Sequence, residues 1–246
     1  MFEGIFRKPR LQTNHFLKEH AHLFEGKVIN VSGSDDLDKS VSFFEYYFGN
    51  YDSGIPYKNY FIGASEYWIS NYPNDNTPLD VEKDKLIYLD LEDSLDTDLK
   101  EKFDVVFCHT VFEHIFDIFT AFENLCNLSN DIVIFIVPQC QKVHDYNRGY
   151  KDYWRFTPFS IEKLFEQNGM KPLVRKTTTG LSSSLYLYYV ASKKPEKWEN
   201  SFPELSLIEN YLNWRNDGST STFLSFFHLK MEQFIRKVIK KIKNQS

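Results

Sequence analysis

Two apolar runs constrain this chain more than any other feature: Phe103-Asp104-Val105-Val106-Phe107-Cys108 and, further on, Asp131–Val137. A strand with one face in water alternates apolar and polar residues. A run that is apolar at both parities is covered on both faces, as central parallel strands are. Parallel neighbours need a crossover between them, and Phe116–Leu128 is a helix of suitable length. The expectation is an α/β sheet with helices packed against it.

The rest of the chain extends that alternation. Leu11 to Phe24 carries apolar residues at 11, 16, 17, 21, 23 and 24, a helical spacing, with Gly26 as its stop. Further strands are expected at Lys27–Val31, Glu66–Asn71 and Leu86–Leu91, and a brief helix at 42–48. Gly49, Gly54, Pro56, Pro73 and Pro78 break the chain between them. The fifth strand should end at Pro138, and residues 139–156 should form a polar and aromatic loop. Thr157 and Pro158 open a helix as N-cap and first-turn proline, and Gly169 closes it. Val174–Thr178 and Leu185–Ala191 complete the set. The fold class is therefore α/β: a doubly wound, mostly parallel, seven-stranded, Rossmann-like sheet over residues 1–195, with a C-terminal helical extension over 196–246.

Charge is placed unevenly. The net charge is −5, yet residues 229–246 carry +5, from Lys230, Arg236, Lys237, Lys240, Lys241 and Lys243 against Glu232, so the remainder carries −10. An acidic body argues against a nucleic-acid binder. In the tail, Leu224, Phe227, Met231, Phe234, Ile235, Val238, Ile239 and Ile242 recur at three- and four-residue steps. That helix suits an anionic membrane surface, an acidic partner, its own domain or a second subunit. Cys108, Cys126 and Cys140 lack disulfide or metal spacing and read as reduced thiols. His15, His20 and His22 share no good ligand face, so no metal is expected and the three should face solvent. Residues 1–10 lack the apolar run of a signal peptide, and no stretch approaches a spanning helix, so a soluble cytoplasmic protein is expected. Aromatics make up 17% of the chain, which means either a ring-stacking groove or, more commonly, Phe-filled cores.

The strand ends carry a resemblance. Val28-Ile29-Asn30-Val31-Ser32-Gly33-Ser34 resembles the first motif of the class I S-adenosylmethionine-dependent methyltransferases. Phe103 to Cys108, with His109-Thr110-Val111-Phe112-Glu113-His114 after it, resembles that family's fourth strand and the segment that follows. Together with Asp131–Pro138, the run Asp152-Tyr153-Trp154-Arg155-Phe156-Thr157-Pro158 is similar to bacterial methyltransferases associated with cell-surface glycan synthesis. The likeness covers roughly residues 10–195.

The resemblance implies a cofactor, S-adenosylmethionine, wrapped at its methionine end by the loop Asn30–Asp36 with Asn30, Ser32, Gly33 and Ser34 as its contacts, where small residues let backbone N–H groups approach. Ser32 and Ser34 stand where glycine is common in the family, and Asn30 stands where an acid is common. Asn71 and Asp75 would meet the ribose, Asp90 the adenine amino group, and Leu91 would cover the ring. As a residue, Asp90 equally suits a cap on the next turn. His109 and Thr110 would face the methionine side, while His114 reads as a structural link between loops and Asp117 as a helix-terminus acid.

A sulfonium methyl is already a strong electrophile, so the protein has to supply alignment and, for a hydroxyl acceptor, a base. His144 is the best-placed base by sequence, with Asp152 to orient it. Arg155 could bind an anionic group, and Tyr150, Tyr153 and Trp154 could stack on a sugar face. The alternative is a loop whose aromatics close the core and whose Arg155 pairs with an acid. The reading is an O-methyltransferase of a sugar or related component of a bacterial surface polysaccharide, such as capsule or O-antigen. A cofactor-free interaction module with this fold, or a methyltransferase of a small-molecule, lipid or phosphate acceptor, stays open beside it.

Overall fold

The two apolar runs lie side by side at the centre of the sheet. The computed structural model describes residues 9–33, 36–38, 54–73, 83–140, 143, 151–178 and 185–202. Along the chain come α1 (Pro9–Ala21), β1 (Glu25–Val31), β2 (Gly63–Asn71), β3 (Leu86–Tyr88), β4 (Phe103–His109), α2 (Ile118–Leu128), β5 (Ser129–Cys140), α3 (Pro158–Gln167), β6 (Lys171–Thr177) and β7 (Leu185–Ser192). Among the described residues the strands are ordered β3-β2-β1-β4-β5-β7-β6. The first five are parallel, and β7 runs antiparallel between β5 and β6. The order reverses between β1 and β4, which is the switch point where doubly wound sheets bind ligands. Ser34, Asp75, His144, Tyr150, the expected helix at 42–48 and the expected tail helix lie outside the described residues.

Both faces of β5 are buried, as its composition demands. Ile132, Ile134 and Ile136 pack with Leu17, Ala21 and Phe24 of the α1 side and with Tyr188 and Val190 of β7. Val133, Phe135 and Val137 pack on the other face with Phe122 and Leu125 of α2 and Ile161 and Phe165 of α3. Phe135 sits edge-on to Phe112, Phe122 and Phe165 at centroid distances of 4.9, 5.2 and 6.2 Å. Much of the phenylalanine excess thus goes into the core, where each buried ring contributes about 1.5–3 kcal/mol.

Local signals act as their chemistry suggests. Thr157 caps α3 with a full capping box to Ser160, Pro158 fills the first turn, and Gly169 follows with φ +68°. Asp117 caps α2, accepting from Thr120 N at 3.2 Å and Thr120 Oγ1 at 2.7 Å. Gly26 does not end α1, which stops at Ala21. It lies inside β1 at φ +89°, where the register with β2 shifts. A Cβ there would stand 2.1 Å from Asp104 Oδ2, the atom that accepts the Lys27 N–H. Pro138 does not end β5 either. The strand bulges between Pro138 and Cys140 and continues along β7, where a missing N–H is tolerated. β3 is shorter than expected, and Leu89 to Leu91 already belong to the turn after it.

Of the three N-terminal histidines, His20 departs from the solvent-facing expectation. It is buried, with Nδ1 2.7 Å from the Phe16 carbonyl and 3.2 Å from the Tyr188 hydroxyl, and burial pushes its pKa down. Packing continues past β7: Trp198 is buried against Phe24 and donates to Asp131 at the start of β5. No helix among the described residues is long and apolar enough to cross a membrane.

Candidate active site at the strand ends

The carboxyl ends of β1 to β4 converge on one side of the sheet, and the backbone there is under strain. Four non-glycine residues in the described chain have positive φ, and three of them, Ser32 (51°), Asp36 (52°) and Thr110 (54°), follow β1 or β4. Left-handed backbone costs a residue with a Cβ roughly 1–2 kcal/mol, and such strain gathers at functional sites.

The loop after β1 is tied down by its own neighbours. Ser32 N donates to Ser70 Oγ and Gly33 N to Ser70 O, both at 3.0 Å. These two N–H groups are therefore engaged with β2, not turned toward a ligand as the resemblance implies. A Cβ on Gly33 would come within 2.8 Å of Asn30 Nδ2 and 3.1 Å of Ile69 Cγ2. Glycine is required here by the close approach of loop, strand end and β2. Asn30, itself buried, donates through Nδ2 to Asp36 Oδ1 at 2.6 Å, and the Tyr67 hydroxyl donates to the same oxygen at 2.8 Å. Burial raises the Asp36 carboxyl, and these two hydrogen bonds pull it back.

At the ends of β2 and β3, Asn71 is buried and its carbonyl accepts from Leu89 N at 2.9 Å. Tyr72 is 47% exposed, and the Asp90 charge beside it raises its phenol. Asp90 caps its turn, accepting from Glu92 N at 2.9 Å through Oδ1. Leu91 is only 3% exposed and packs with Leu89 and Leu95 in the core, so its side chain is not available to cover a ring. Asn124 of α2 holds that turn by donating to the carbonyls of Leu91 and Asp93.

The end of β4 is closed by α1. Arg10 Nη2 donates to Thr110 Oγ1 at 2.7 Å, and Thr13 Oγ1 lies 3.3 Å from His109 Nε2. His109 Nδ1 lies 3.3 Å from Thr110 Oγ1, so both ring nitrogens have neighbours. Burial, aided by the Arg10 charge, holds the His109 pKa well below its ordinary value, leaving a neutral imidazole at pH 7.

On the far side of β4 the turn Phe112–His114 carries a buried polar cluster. The Glu113 carbonyl accepts the Tyr153 N–H at 2.7 Å, which pins the segment 151–155 against β4. The Glu113 side chain is buried, and its Oε2 has no hydrogen-bond partner among the described residues. Burial, with the nearby Asp152 charge, pushes its carboxyl up to about 8, so it is mostly protonated at neutral pH. Asp152 pairs with Arg155 Nη2 at 2.5 Å and with His114 Nδ1 at 3.1 Å. Tyr153 (49% exposed) and Trp154 (37%) lie open beside Phe116. Among the described residues no group of three His, Cys, Asp or Glu side chains could hold a metal ion.

No family model matches the sequence, and neither does any curated protein. Solved structures do match. A chain from the complex between the Haloferax volcanii Trm112 methyltransferase activator and a protein described as a methyltransferase superposes with a TM-score of 0.50, at 12% identity over 75% of this chain and 90% of that one. The fold is the class I methyltransferase fold. A Burkholderia thailandensis 1,6-didemethyltoxoflavin-N1-methyltransferase, solved with 1,6-didemethyltoxoflavin and S-adenosylhomocysteine, gives 0.49 at 13% identity over 76% of this chain and 79% of that one.

Within the methyltransferase fold, the expected residues Asn30, Ser32, Gly33, Asn71, Asp90, His109 and Thr110 all fall at the carboxyl ends of β1 to β4. Arg155 and Asp152 hold each other, so the pairing alternative describes Arg155, and Asp152 orients Arg155 and His114 among the described side chains. Three residues that border these strand ends escaped the sequence reading. Arg10 and Thr13 meet partners about 100 residues away, which no local pattern announces. Tyr72 follows Asn71 directly, and an aromatic residue next to an expected strand end was the available signal. Asp36 closes the loop Asn30–Asp36 that the resemblance gives to the methionine end of the cofactor, but its pairing with Asn30 and Tyr67 was not legible there.

Proposed function

We propose that this chain is a cytoplasmic S-adenosylmethionine-dependent O-methyltransferase acting on a sugar or related component of a bacterial surface polysaccharide. The observation that carries the reading is the junction around β4 in a class I methyltransferase fold. His109, Thr110 and Arg10 line its switch-point side, and Glu113 pins the segment bearing Tyr153 and Trp154 on the other.

The groups at the strand ends fit the cofactor. Arg10 is a cation beside Thr110 for the methionine carboxylate, and Asp90 keeps lone pairs for an adenine amino group after capping its turn. The exposed ring of Tyr72 lies next to Asp90. Bound S-adenosylmethionine supplies a sulfonium methyl group that needs no further activation. The protein's work is to align the acceptor and take its proton. In this reading His144 takes the proton from the acceptor hydroxyl, while the Asp152–Arg155 pair stiffens the wall of the acceptor space. Tyr153, Trp154 and Phe116 offer aromatic surface for a sugar face. The basic tail helix would hold the enzyme at an anionic membrane or to a second subunit.

Incubating the full chain with methyl-labelled S-adenosylmethionine and a panel of nucleotide sugars, lipids, phosphates and small phenols tests this. Label on a sugar oxygen is expected. Label confined to the other acceptors would overturn the substrate class, and a protein that binds no cofactor would be an interaction module.

A further inference from the structure

The loop after β1 is organised around one buried carboxylate. Asp36 is 6% exposed, sits in left-handed backbone, and draws three pieces of chain together. Its Oδ1 accepts from Asn30 at the end of β1 and from Tyr67 in β2. Its own N–H donates to the Gly33 carbonyl at 2.8 Å, and its carbonyl accepts from Tyr57 N at 2.9 Å. Burial raises its pKa on balance, and the Asn30 and Tyr67 hydrogen bonds, the Lys58 N–H and the exposed Lys58 ammonium oppose that rise.

The two side chains that bond Asp36 are an amide and a phenol, both neutral donors. Asn30 stands where the methyltransferase resemblance leads one to expect an acid. Here the strand end donates and the loop carries the carboxylate, so an amide and an acid make a complementary pair at this spot. A charge-assisted pair of this kind locks the loop from within; two amides would keep only a weaker neutral hydrogen bond, and two carboxylates would repel.

We propose that Asp36 is the positioning residue of the cofactor loop: clamped by Asn30 and Tyr67, its carboxylate fixes Asn30 and the Ser32–Gly33 turn in the arrangement that receives the amino-acid end of S-adenosylmethionine. This rests on the cofactor reading above. Asp36 acts through Asn30 and the loop backbone, so its chemical identity matters less than the pairing of one acid with one amide.

The test is a reciprocal exchange on the full-length protein. Binding of S-adenosylmethionine and S-adenosylhomocysteine is measured by calorimetry for the parent, Asp36→Asn, Asn30→Asp, the double exchange and Tyr67→Phe, with a thermal melt of each. Each single exchange should weaken binding by about tenfold or more, the loss expected of a charge-assisted hydrogen bond. The double exchange should return to within about threefold of the parent, a recovery that mere bulk or fold integrity does not predict. Tyr67→Phe, which keeps the ring and removes one donor, should lose about three- to tenfold. Parent-like affinity in Asp36→Asn or Tyr67→Phe overturns the proposal. So does a double exchange that melts like the parent yet binds no better than the weaker single. A parent protein that binds neither ligand overturns the cofactor reading itself, and this inference with it.

Discussion

Replacing Glu113 by glutamine should make the protein more stable at alkaline pH. The Glu113 carboxyl is buried, and although the Arg155 and Arg10 charges oppose it, burial and the Asp152 charge raise its pKa from 4.5 to about 8. The unfolded chain releases this proton near 4.5, while the folded chain keeps it until about 8. Between those values the folded state binds more protons, so stability must fall as pH rises, and the full penalty is present above pH 8. At 1.36 kcal/mol per pH unit the penalty reaches roughly 5 kcal/mol, a large share of a typical domain's stability. Glutamine keeps the shape and cannot ionise. Urea unfolding followed by tryptophan fluorescence, at pH 5 and pH 8.5, gives the difference between variant and parent at each pH. That difference should move in favour of Glu113→Gln by several kcal/mol from the first pH to the second. Parallel pH dependences for the two proteins would mean that Glu113 is ionised and solvated in the folded state.

Three further outcomes are expected. Gly33→Val should abolish S-adenosylmethionine binding in calorimetry, because even its Cβ would press on Asn30 and Ile69 and displace the loop; unchanged affinity would remove that loop from the site. His144→Ala should keep cofactor binding and lose turnover on the order of 100-fold, as removal of a general base does; full turnover at neutral pH would take His144 out of the mechanism. Truncation before Phe223 should leave a folded domain, since the sheet is complete by Ser192, and should cost either liposome sedimentation or the native oligomer. If the truncated chain keeps its oligomeric state and the full chain ignores anionic liposomes at low salt, both docking ideas fail.

The features legible in the sequence are those whose cause is local. The apolar runs of β4 and β5 announce two-sided burial residue by residue, and Thr157-Pro158 with Gly169 spells out both ends of α3. Gly26 and Pro138 misled because each is a breaker by propensity, while the tertiary setting uses one as a bulge against Asp104 and the other at a bulge beside β7. The resemblance implies that Leu91 covers a ring, yet the core has the stronger claim on its apolar side chain. The site was half legible. Strand ends follow from topology, so the place of Asn30, Asn71, Asp90, His109 and Thr110 at the ends of β1 to β4 could be named in advance. The closure of α1 over β4, the Asp152–Arg155 pair and the neutral state of Glu113 depend on which distant groups meet, and on burial that only the packed chain creates.

The central claim is that this methyltransferase fold holds S-adenosylmethionine at the ends of β1 to β4. Titration of the full-length protein with S-adenosylmethionine, and separately with S-adenosylhomocysteine, measures it directly. The account predicts saturable binding of one ligand per chain for both, with affinity in the micromolar range, about −8 kcal/mol. No binding heat for either ligand up to millimolar concentration, from a protein shown to be folded by its melting transition, would contradict it.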